Sequence, residues 1–213
     1  MSHSGNGRGI ERIIEAAQNA YNAAGSLEQF VTDAGQLLIE AEISTAQVCS
    51  FVQRQWDPDG CRPHLVDTDT PPFLIDLHTN NDWCLRATIW PAEDETDWRD
   101  VAHSHFGFIA TTPITDVAYR VRLYRSFDSM DDEIPPEPFR IGDLHLIRPS
   151  TIHEVLLPES SFGISLSLRT RAVREISEEW NRSQRRVEIR TKSALDRKRA
   201  VLKYLETGSW RSV

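Results

Sequence analysis

Between Phe73 and Leu168 the sequence alternates short stretches of strand-forming residues with turn-forming residues. Apolar, aromatic and β-branched side chains fill the stretches, and Asn, Asp, Gly and Pro are concentrated in the gaps. The predicted strands are Phe73–His78, Trp83–Trp90, His103–Thr112, Val117–Phe127, Phe139–Ile147, Ile152–Leu156 and Phe162–Leu168. Short strands at this spacing are typical of a sandwich or barrel, so the fold class is predicted to be mainly β.

Helical periodicity replaces the strand pattern on both sides of this region. Apolar residues recur at helical spacing within residues 10–55, where Ser26 and Ser44 are predicted N-caps. A turn-rich stretch, residues 56–72, separates these helices from the strands. After Arg169 the pattern again favours helices, with apolar stripes formed by Ala172, Val173, Ile176 and Trp180 and by Leu195, Val201, Leu202 and Leu205.

The length of 213 residues suits one domain with its own core. Its predicted parts are a disordered tail at 1–9, N-terminal helices packed on a barrel at 10–55, the barrel at 56–170 and a C-terminal helical extension at 171–213. Cys49, Cys61 and Cys84 are widely spaced, which favours free buried thiols over a disulfide framework. Residues 1–9 lack the apolar core of a secretory signal and no run is long and apolar enough to span a bilayer, so a cytoplasmic location is expected.

The net charge of −8 is unevenly distributed. Residues 169–213 carry thirteen Lys and Arg against six Asp and Glu, whereas the remainder of the chain is strongly acidic. Duplex binding requires a cationic face, so the acidic body argues against nucleic acid as the main ligand. The acidic segment Glu93–Asp100 is interpreted as a solvated connection.

The histidines suggest a metal site. His103 and His105 stand at positions i and i+2 of one predicted strand, so their side chains leave the same face. His153 follows a turn and opens a later strand, which in an antiparallel barrel can return to the same interior. An isolated H-x-H pair is commonly two surface histidines, but Phe106 and Phe108 show that this strand is not a solvated one.

The segment Gly142–His153 adds a glycine turn, an apolar strand, a proline turn and a histidine. H-x-H followed by G-D-x5-P-x3-H resembles the bipartite cupin signature. The resemblance implies a cupin barrel, that is a double-stranded β-helix or jelly-roll, with N-terminal helices and C-terminal helices. It also implies one metal ion held by His103, His105 and His153.

The stretch from Phe106 to Ile114 contains no Asp, Glu or Gln. Three histidines without a carboxylate differ from the 2-His-1-carboxylate triad. They are similar to the site of the cysteine dioxygenase family, also called thiol dioxygenases, whose layout the chain resembles over about residues 27–170. The family's carboxylate-clamping arginine aligns with Phe73, its His and Tyr beyond the ligands align with Ser167 and Arg169, and its crosslinked cysteine has no counterpart. The resemblance thus implies the metal cage without the family's substrate apparatus.

Fe(II) is the predicted metal, with dioxygen as co-substrate; Zn, Ni and Mn are alternatives because imidazole discriminates weakly among them. The predicted substrate-binding residues are Arg86, Tyr119, Arg122, Tyr124 and Arg169, each of which has a surface or structural alternative. No catalytic residue is assigned. His145 is interpreted as structural and on the opposite face, because Leu144 and Leu146 flank it, and His64 and His78 as surface or loop residues.

Three functions follow from these observations. The first is a non-heme Fe(II)-dependent oxygenase of the three-His cupin type, acting on a small polar, amino-acid-like or thiol-like metabolite. The second is a cupin enzyme that uses Zn or another metal without dioxygen, as an isomerase, a lyase or a catalyst of N-oxygenated-substrate rearrangement. The third is a ligand-binding or regulatory cupin. A homodimer formed through barrel edges is also expected.

Overall fold

The computed structural model describes residues 9–55, 64–67, 72–93, 100–127, 136–159, 162–170, 176–181 and 186–191. Its helices are α1 (Gly9–Ala23), α2 (Leu27–Glu40) and α3 (Thr45–Gln55). These confirm the helices predicted within residues 10–55. No helix in the described ranges is both long enough and apolar enough to cross a bilayer.

Both predicted caps are present. The Ser26 side chain accepts a hydrogen bond from the Gln29 backbone N–H at 3.1 Å, which satisfies one of the free donors at the start of α2. Ser44 accepts from the Gln47 N–H, and the Gln47 side chain accepts in return from the Ser44 N–H at 2.8 Å. This reciprocal pair is a capping box, and it fixes where α3 begins.

The described strands are β1 (His64–Asp67), β2 (Phe73–Thr79), β3 (Trp83–Trp90), β4 (His103–His105), β5 (Ile109–Pro113), β6 (Val117–Tyr124), β7 (Glu137–Arg140), β8 (His145–Ile147), β9 (Ile152–Leu156), β10 (Gly163–Thr170), β11 (Ile176–Asn181) and β12 (Arg186–Thr191). They form two antiparallel sheets. Sheet A has the order β1-β2-β3-β10-β5-β8, and sheet B the order β12-β11-β4-β9-β6-β7.

The strand order identifies the architecture. The last four strands in the order of sheet A are β3-β10-β5-β8, and the last four in the order of sheet B are β4-β9-β6-β7. From β3 to β10 the chain crosses repeatedly between these two sets, which is the connectivity of an eight-stranded jelly roll, or double-stranded β-helix. The mainly β fold class is confirmed. β1 and β2 extend sheet A, and β11 and β12 extend sheet B.

The largest apolar core lies outside the barrel, between sheet A and the helices. Trp83, Leu85 and Ala87 from β3 pack there with Leu166 and Leu168 from β10. The helices contribute buried Ile10, Ile13, Ala17, Phe30, Val31, Ala34 and Leu38. The N-terminal helices therefore cover one face of sheet A and leave its other face to line the barrel interior.

Two of the predicted strands are divided at corners of the barrel. The predicted strand His103–Thr112 is broken between β4 and β5, which belong to different sheets. The predicted strand Phe139–Ile147 is broken by the turn at Gly142, whose positive φ of 92° suits glycine. Each break lets the chain pass from one sheet to the other.

The C-terminal helical extension predicted at 171–213 is wrong where the structure describes it. Residues 176–181 and 186–191 are β11 and β12, which pair with each other, and β11 also pairs with β4. Pairing with the exposed edge of β4 gives these backbone groups hydrogen-bond partners in the sheet and determines their conformation. The stripe residues Ala172 and Val173, and all of 192–213, lie outside the described residues.

Two smaller predictions also need correction. β1 lies within the stretch 56–72 that was predicted to be turn-rich. Cys84 is a buried free thiol as expected, whereas Cys49 is free but exposed. Cys61, like the tail before Gly9, lies outside the described residues.

Candidate metal centre

The three predicted metal ligands lie together in the structure. β4 carries His103 and His105, and its neighbour β9 carries His153 in direct register with His103. Each of the three side chains offers a nitrogen, and these nitrogen atoms all lie within 4.8 Å of one another. As the i and i+2 spacing predicted, the short strand β4 directs the side chains of His103 and His105 to the same place, and the adjacent strand β9 adds the third imidazole.

Backbone carbonyls orient two of the rings. His103 Nδ1 lies 2.8 Å from the Val101 carbonyl oxygen, and His153 Nδ1 lies 3.1 Å from that of Thr151. A carbonyl can only accept, so in the neutral rings these contacts assign the proton to Nδ1 and leave the Nε2 lone pair available. Histidine ligands in metal sites are commonly held in this manner.

A tight turn ties the third ligand to the first strand. The Ser150 N–H donates to the His105 carbonyl oxygen at 2.9 Å, and the Thr151 N–H donates to that of Arg148 at 3.1 Å. Ser150 adopts a left-handed conformation with φ of 66°, which is uncommon for a residue other than glycine. The turn that precedes His153 is therefore hydrogen-bonded directly to the strand that bears His105.

Two of the three histidines, His105 and His153, are held in the form that binds metal. Burial, followed by the positive charge of Arg169, lowers the pKa of His105 well below its usual value. Burial also lowers the pKa of His153 well below the usual value, with His103 nearby adding to the effect. Neutral imidazole is the ligating form of histidine, so these residues fit a divalent first-row metal ion.

Asp100 lies beside this group and was missed at the sequence level, where it was assigned to a solvated connection. Its Oδ2 atom lies 3.4 Å from His103 Nδ1 and accepts a 2.8 Å hydrogen bond from the Val155 N–H. Its side chain is only 13% exposed. Burial raises the pKa of the Asp100 carboxyl, whereas His103 and the backbone donors favour its ionised form. In the sequence, only the position of Asp100 three residues before His103 could have indicated that it lies beside the histidine group.

The barrel face of sheet A is polar. Pairing between strands places Asp76, Arg86, Ser167, Thr111 and His145 in one row across five strands. Thr111 hydrogen-bonds to the Tyr119 side chain of sheet B, which shows that this row faces the interior. The apolar residues that alternate with the row face the helices instead.

Arg86 and Arg169 both lie on this interior face. The Arg86 Nε atom donates to Asp76 Oδ1 at 2.8 Å, and the two side chains are 4% and 8% exposed. Arg169 is partly buried and follows Ser165 and Ser167 along the same face of β10. Both arginines lie close enough to His105 to lower its pKa. The prediction that Arg86 and Arg169 bind substrate remains a proposal.

The interpretation that His145 lies on the face opposite the site is wrong. Its register with Thr111 turns it toward the interior, where its ring centroid lies 5.7 Å from that of Phe139. Burial lowers its pKa. Leu144 and Leu146 pack toward the helices, outside the barrel. The histidine between them therefore faces the barrel interior, and not the opposite face as its apolar neighbours had suggested.

Tyr119 lies at the apolar end of the barrel interior. Its ring centroid is 4.8 Å from that of Trp90 and 4.9 Å from that of Phe139, and burial raises its pKa. Val155 and Leu157 complete this cluster. The Trp90 indole N–H donates to Ser165 Oγ at 3.0 Å, which joins the apolar floor to the polar wall.

Arg122 and Tyr124, which were predicted to bind substrate, do not face the barrel interior. Tyr119 and Val121 of β6 face inward, so the alternate residues face outward. Arg122 Nη1 lies 3.2 Å from Glu154 Oε2, and the Tyr124 hydroxyl donates to the same oxygen at 2.6 Å. These two residues therefore form a polar cluster on the outer face of sheet B.

Two further histidines, His78 and His64, belong to the outer strands β2 and β1 of sheet A, and His3 lies outside the described residues. His78 is on β2, half-buried, with its ring centroid 4.7 Å from that of Trp83, so it is not a loop residue. Burial lowers its pKa. His64 belongs to β1, and its side chain lies outside the described part of the structure.

Comparison with known proteins concerns the fold. No protein-family model matches the chain, and no curated protein matches its sequence. An RmlC-like cupin from Shewanella frigidimarina NCIMB 400 is similar with 14% identity and a TM-score of 0.40, over 54% of this chain and 88% of that one. A protein with a double-stranded β-helix domain from Klebsiella pneumoniae subsp. pneumoniae MGH 78578 is similar with 13% identity and a TM-score of 0.38, over 50% and 83%.

A DMSP lyase from Ruegeria pomeroyi DSS-3 is also similar, with 11% identity and a TM-score of 0.36, over 58% of this chain and 54% of that one. Similarity at this level says nothing about activity. The strand order and the histidine cluster lead to the conclusion that the chain has the cupin double-stranded β-helix fold, with a three-histidine group able to hold a metal ion.

Proposed function

We propose that this chain is a non-heme Fe(II)-dependent oxygenase that acts on a small polar metabolite with dioxygen as co-substrate. One observation carries the proposal: the imidazoles of His103, His105 and His153 converge, with nitrogen atoms that all lie within 4.8 Å of one another. Three protein ligands leave further coordination positions on a metal ion open to exogenous molecules. Bound Fe(II) would supply the electrons and the open positions that an oxygenase needs.

In this proposal, different parts of the barrel interior have different roles. His103, His105 and His153 hold the metal, with two rings oriented by the carbonyls of Val101 and Thr151. Trp90 and Tyr119 close the floor and exclude water from that end. The hydroxyl and charged groups of sheet A then form a wall on which a polar substrate can be oriented.

The alternative is a metal-dependent cupin enzyme that does not use dioxygen. It is supported by the donor set itself, because three imidazoles also suit Zn, Ni and Mn. With Zn the same histidines would support Lewis-acid chemistry or activation of a bound water. Isomerase, lyase or N-oxygenated-substrate rearrangement chemistry would follow. A ligand-binding or regulatory cupin is the further alternative.

The first test measures metal content by mass spectrometry after anaerobic purification of the wild type and the His105→Ala variant. We expect about one iron per chain in the wild type and its loss in the variant, since removal of one of three ligands leaves an incomplete site. The matched control is His78→Gln, which changes a histidine outside the interior and should retain iron. Oxygen uptake is then screened with small polar metabolites.

The outcomes separate the alternatives. Stoichiometric zinc without oxygen uptake would favour the second function over the oxygenase. Retention of metal by His105→Ala would contradict the three-histidine site. Absence of metal from the wild type, even after reconstitution with Fe(II), would exclude both enzymatic functions and leave the ligand-binding alternative.

A further inference from the structure

The interior-facing side of β6 becomes more exposed along the strand. Tyr119, Val121 and Leu123 alternate onto this side. Tyr119 is buried, Val121 is half-buried and Leu123 is 42% exposed. The pairing of β6 with β9 is regular over residues 120–124, so Leu123 stays in step with the two inward residues before it. The barrel interior is therefore open to solvent at Leu123.

Leu123 lies beside the metal ligands. The register of β6 and β9 places it directly opposite His153. In an antiparallel pair, directly opposed side chains leave the same face, with Cβ atoms about 4.5–5.5 Å apart. His153 itself is buried, whereas its cross-strand neighbour is not. A molecule that enters the barrel at this end and reaches the histidines therefore passes next to the Leu123 side chain.

The facing wall is also apolar near the histidines. Ile109 precedes the interior residue Thr111 by two positions on β5, so it faces the same side, and it is paired with Ile147 of β8. Both isoleucines are buried. Ile109 also pairs with Arg169, which lies close enough to His105 to lower its pKa. The barrel layer at the histidine end thus carries apolar side chains on both sheets.

An exposed leucine on the outside of a protein needs no explanation. Leu123 differs because strand parity and register place it on the interior side of β6. The outer side of the same strand carries Arg120 and Arg122, which pair with Glu93 and Glu154. β6 therefore keeps polar residues outside and apolar residues inside, even where its inner side meets solvent.

We propose that the substrate of the metal centre carries an apolar group of a few carbon atoms, which packs against Leu123 at the open end of the barrel while a polar donor group of the substrate binds the metal. Burial of apolar surface stabilises a complex roughly in proportion to the area covered, so Leu123 is a specificity-determining residue. The inference rests on the metal centre of the proposed function, and it does not depend on the use of dioxygen.

The test uses the full chain loaded with Co(II) and titrated in the absence of oxygen. The probes are acetohydroxamate, butyrohydroxamate and hexanohydroxamate, which share one metal-binding head and differ only in the length of the alkyl tail. Isothermal titration calorimetry gives each affinity, and Co(II) content is measured for every sample. We expect the affinity to rise about 2- to 3-fold for each added methylene, so that hexanohydroxamate binds about 10- to 100-fold more tightly than acetohydroxamate.

Variants then assign this gain to one residue. Leu123→Ser should reduce the advantage of hexanohydroxamate over acetohydroxamate by at least about 3-fold while changing acetohydroxamate itself less than about 2-fold, because only the tail loses apolar contact. Leu123→Met keeps an apolar side chain and should retain most of the advantage. The matched control is Leu27→Ser, which removes a leucine of similar exposure, 45%, from helix α2 and should leave all three affinities unchanged.

Three results would overturn the inference. One is a wild-type affinity that does not rise with tail length, a comparison that needs no variant to fold. Another is a Leu123→Ser variant that keeps the full gain or weakens all three probes equally, and the third is the same loss of gain in Leu27→Ser. A chain with the graded affinities but no oxygen uptake refutes the oxygenase alone, and one that consumes oxygen without the gradation refutes the inference alone. Failure to bind Co(II) refutes both.

Discussion

At the scale of single residues, Asp100 connects the two strands that supply the metal ligands. Its carboxylate accepts a hydrogen bond from the Val155 N–H of β9 and lies 3.4 Å from the His103 ring of β4. The spacing between these strands sets the spacing between His103 and His153. Asp100 therefore acts on the site through other residues, as a positioning residue.

We predict that Asp100→Ala lowers the affinity for Fe(II) or Co(II) by about 10- to 100-fold, the usual cost of losing a group that orients a ligand. Asp100→Asn should fall between the variant and the wild type, because its amide oxygen can still accept from the Val155 N–H. Competition with a chelator of known affinity measures both. An alanine variant with wild-type metal affinity would contradict this role.

The sequence indicated the histidine ligands because alternation along a strand depends only on local geometry. It could not indicate which face of sheet A is interior. For His145 the leucines on either side suggested that histidine points away from the site, since apolar residues usually face a barrel's core. Here those leucines pack against helices, and that arrangement is a tertiary one.

At the scale of elements, the N-terminal helices and the first strands were largely predictable, whereas β11 and β12 were not. Ile176 and Trp180 are four residues apart, a spacing that satisfies both the helical period and the strand period. Val187 and Ile189 alternate with charged residues, and this signal favoured a strand. Pairing with the edge of β4 then decides the conformation, and such pairing cannot be read from local sequence.

Helix α2 packs tightly against sheet A at Gly35. A Cβ atom there would lie 2.9 Å from the Cβ of Ala110 and 3.1 Å from the Leu144 side chain. We predict that Gly35→Ala destabilises the fold by about 1–3 kcal/mol, because overpacking outweighs the gain of about 1 kcal/mol in helix propensity. Urea unfolding measures the difference.

Gly25 supplies the matched control, because a Cβ atom there meets nothing within 4 Å. Gly25→Ala should be neutral or slightly stabilising. Equal changes in unfolding free energy at the two positions would show that there is room for a methyl group between α2 and sheet A at Gly35.

At the scale of the whole molecule, the fold is built in layers: helices, sheet A, the barrel interior and sheet B. The folded chain buries ionisable groups, and in the metal-free chain burial lowers the pKa of His78, His105, His145 and His153. An unfolded histidine titrates near pH 6.5. The unfolded chain therefore binds more protons than the folded chain as the pH falls below this value.

We predict that the unfolding free energy of the metal-free protein is level just above about pH 6.5 and falls steadily as the pH is lowered from there to about 5.5. The direction follows because a depressed histidine pKa contributes stability that is present above the unfolded pKa and lost below it. His145→Gln should make the decline shallower. Urea unfolding at several pH values tests this, and an unchanged slope in His145→Gln would argue against burial of that imidazole.

The polar barrel face of sheet A has a consequence for how this protein can change. Alternate residues of β3 and β10 have different roles. One set packs against the helices, and the other faces the barrel interior. On the function proposed above, substitutions at Ser165, Ser167 or Arg169 would alter which molecule is accepted while the apolar layer that keeps the chain folded stays intact. Along β3 and β10, substitutions at the positions that face the helices would threaten the fold, whereas substitutions at the alternate, interior-facing positions would not. The interior of this barrel is therefore a favourable place to redesign specificity.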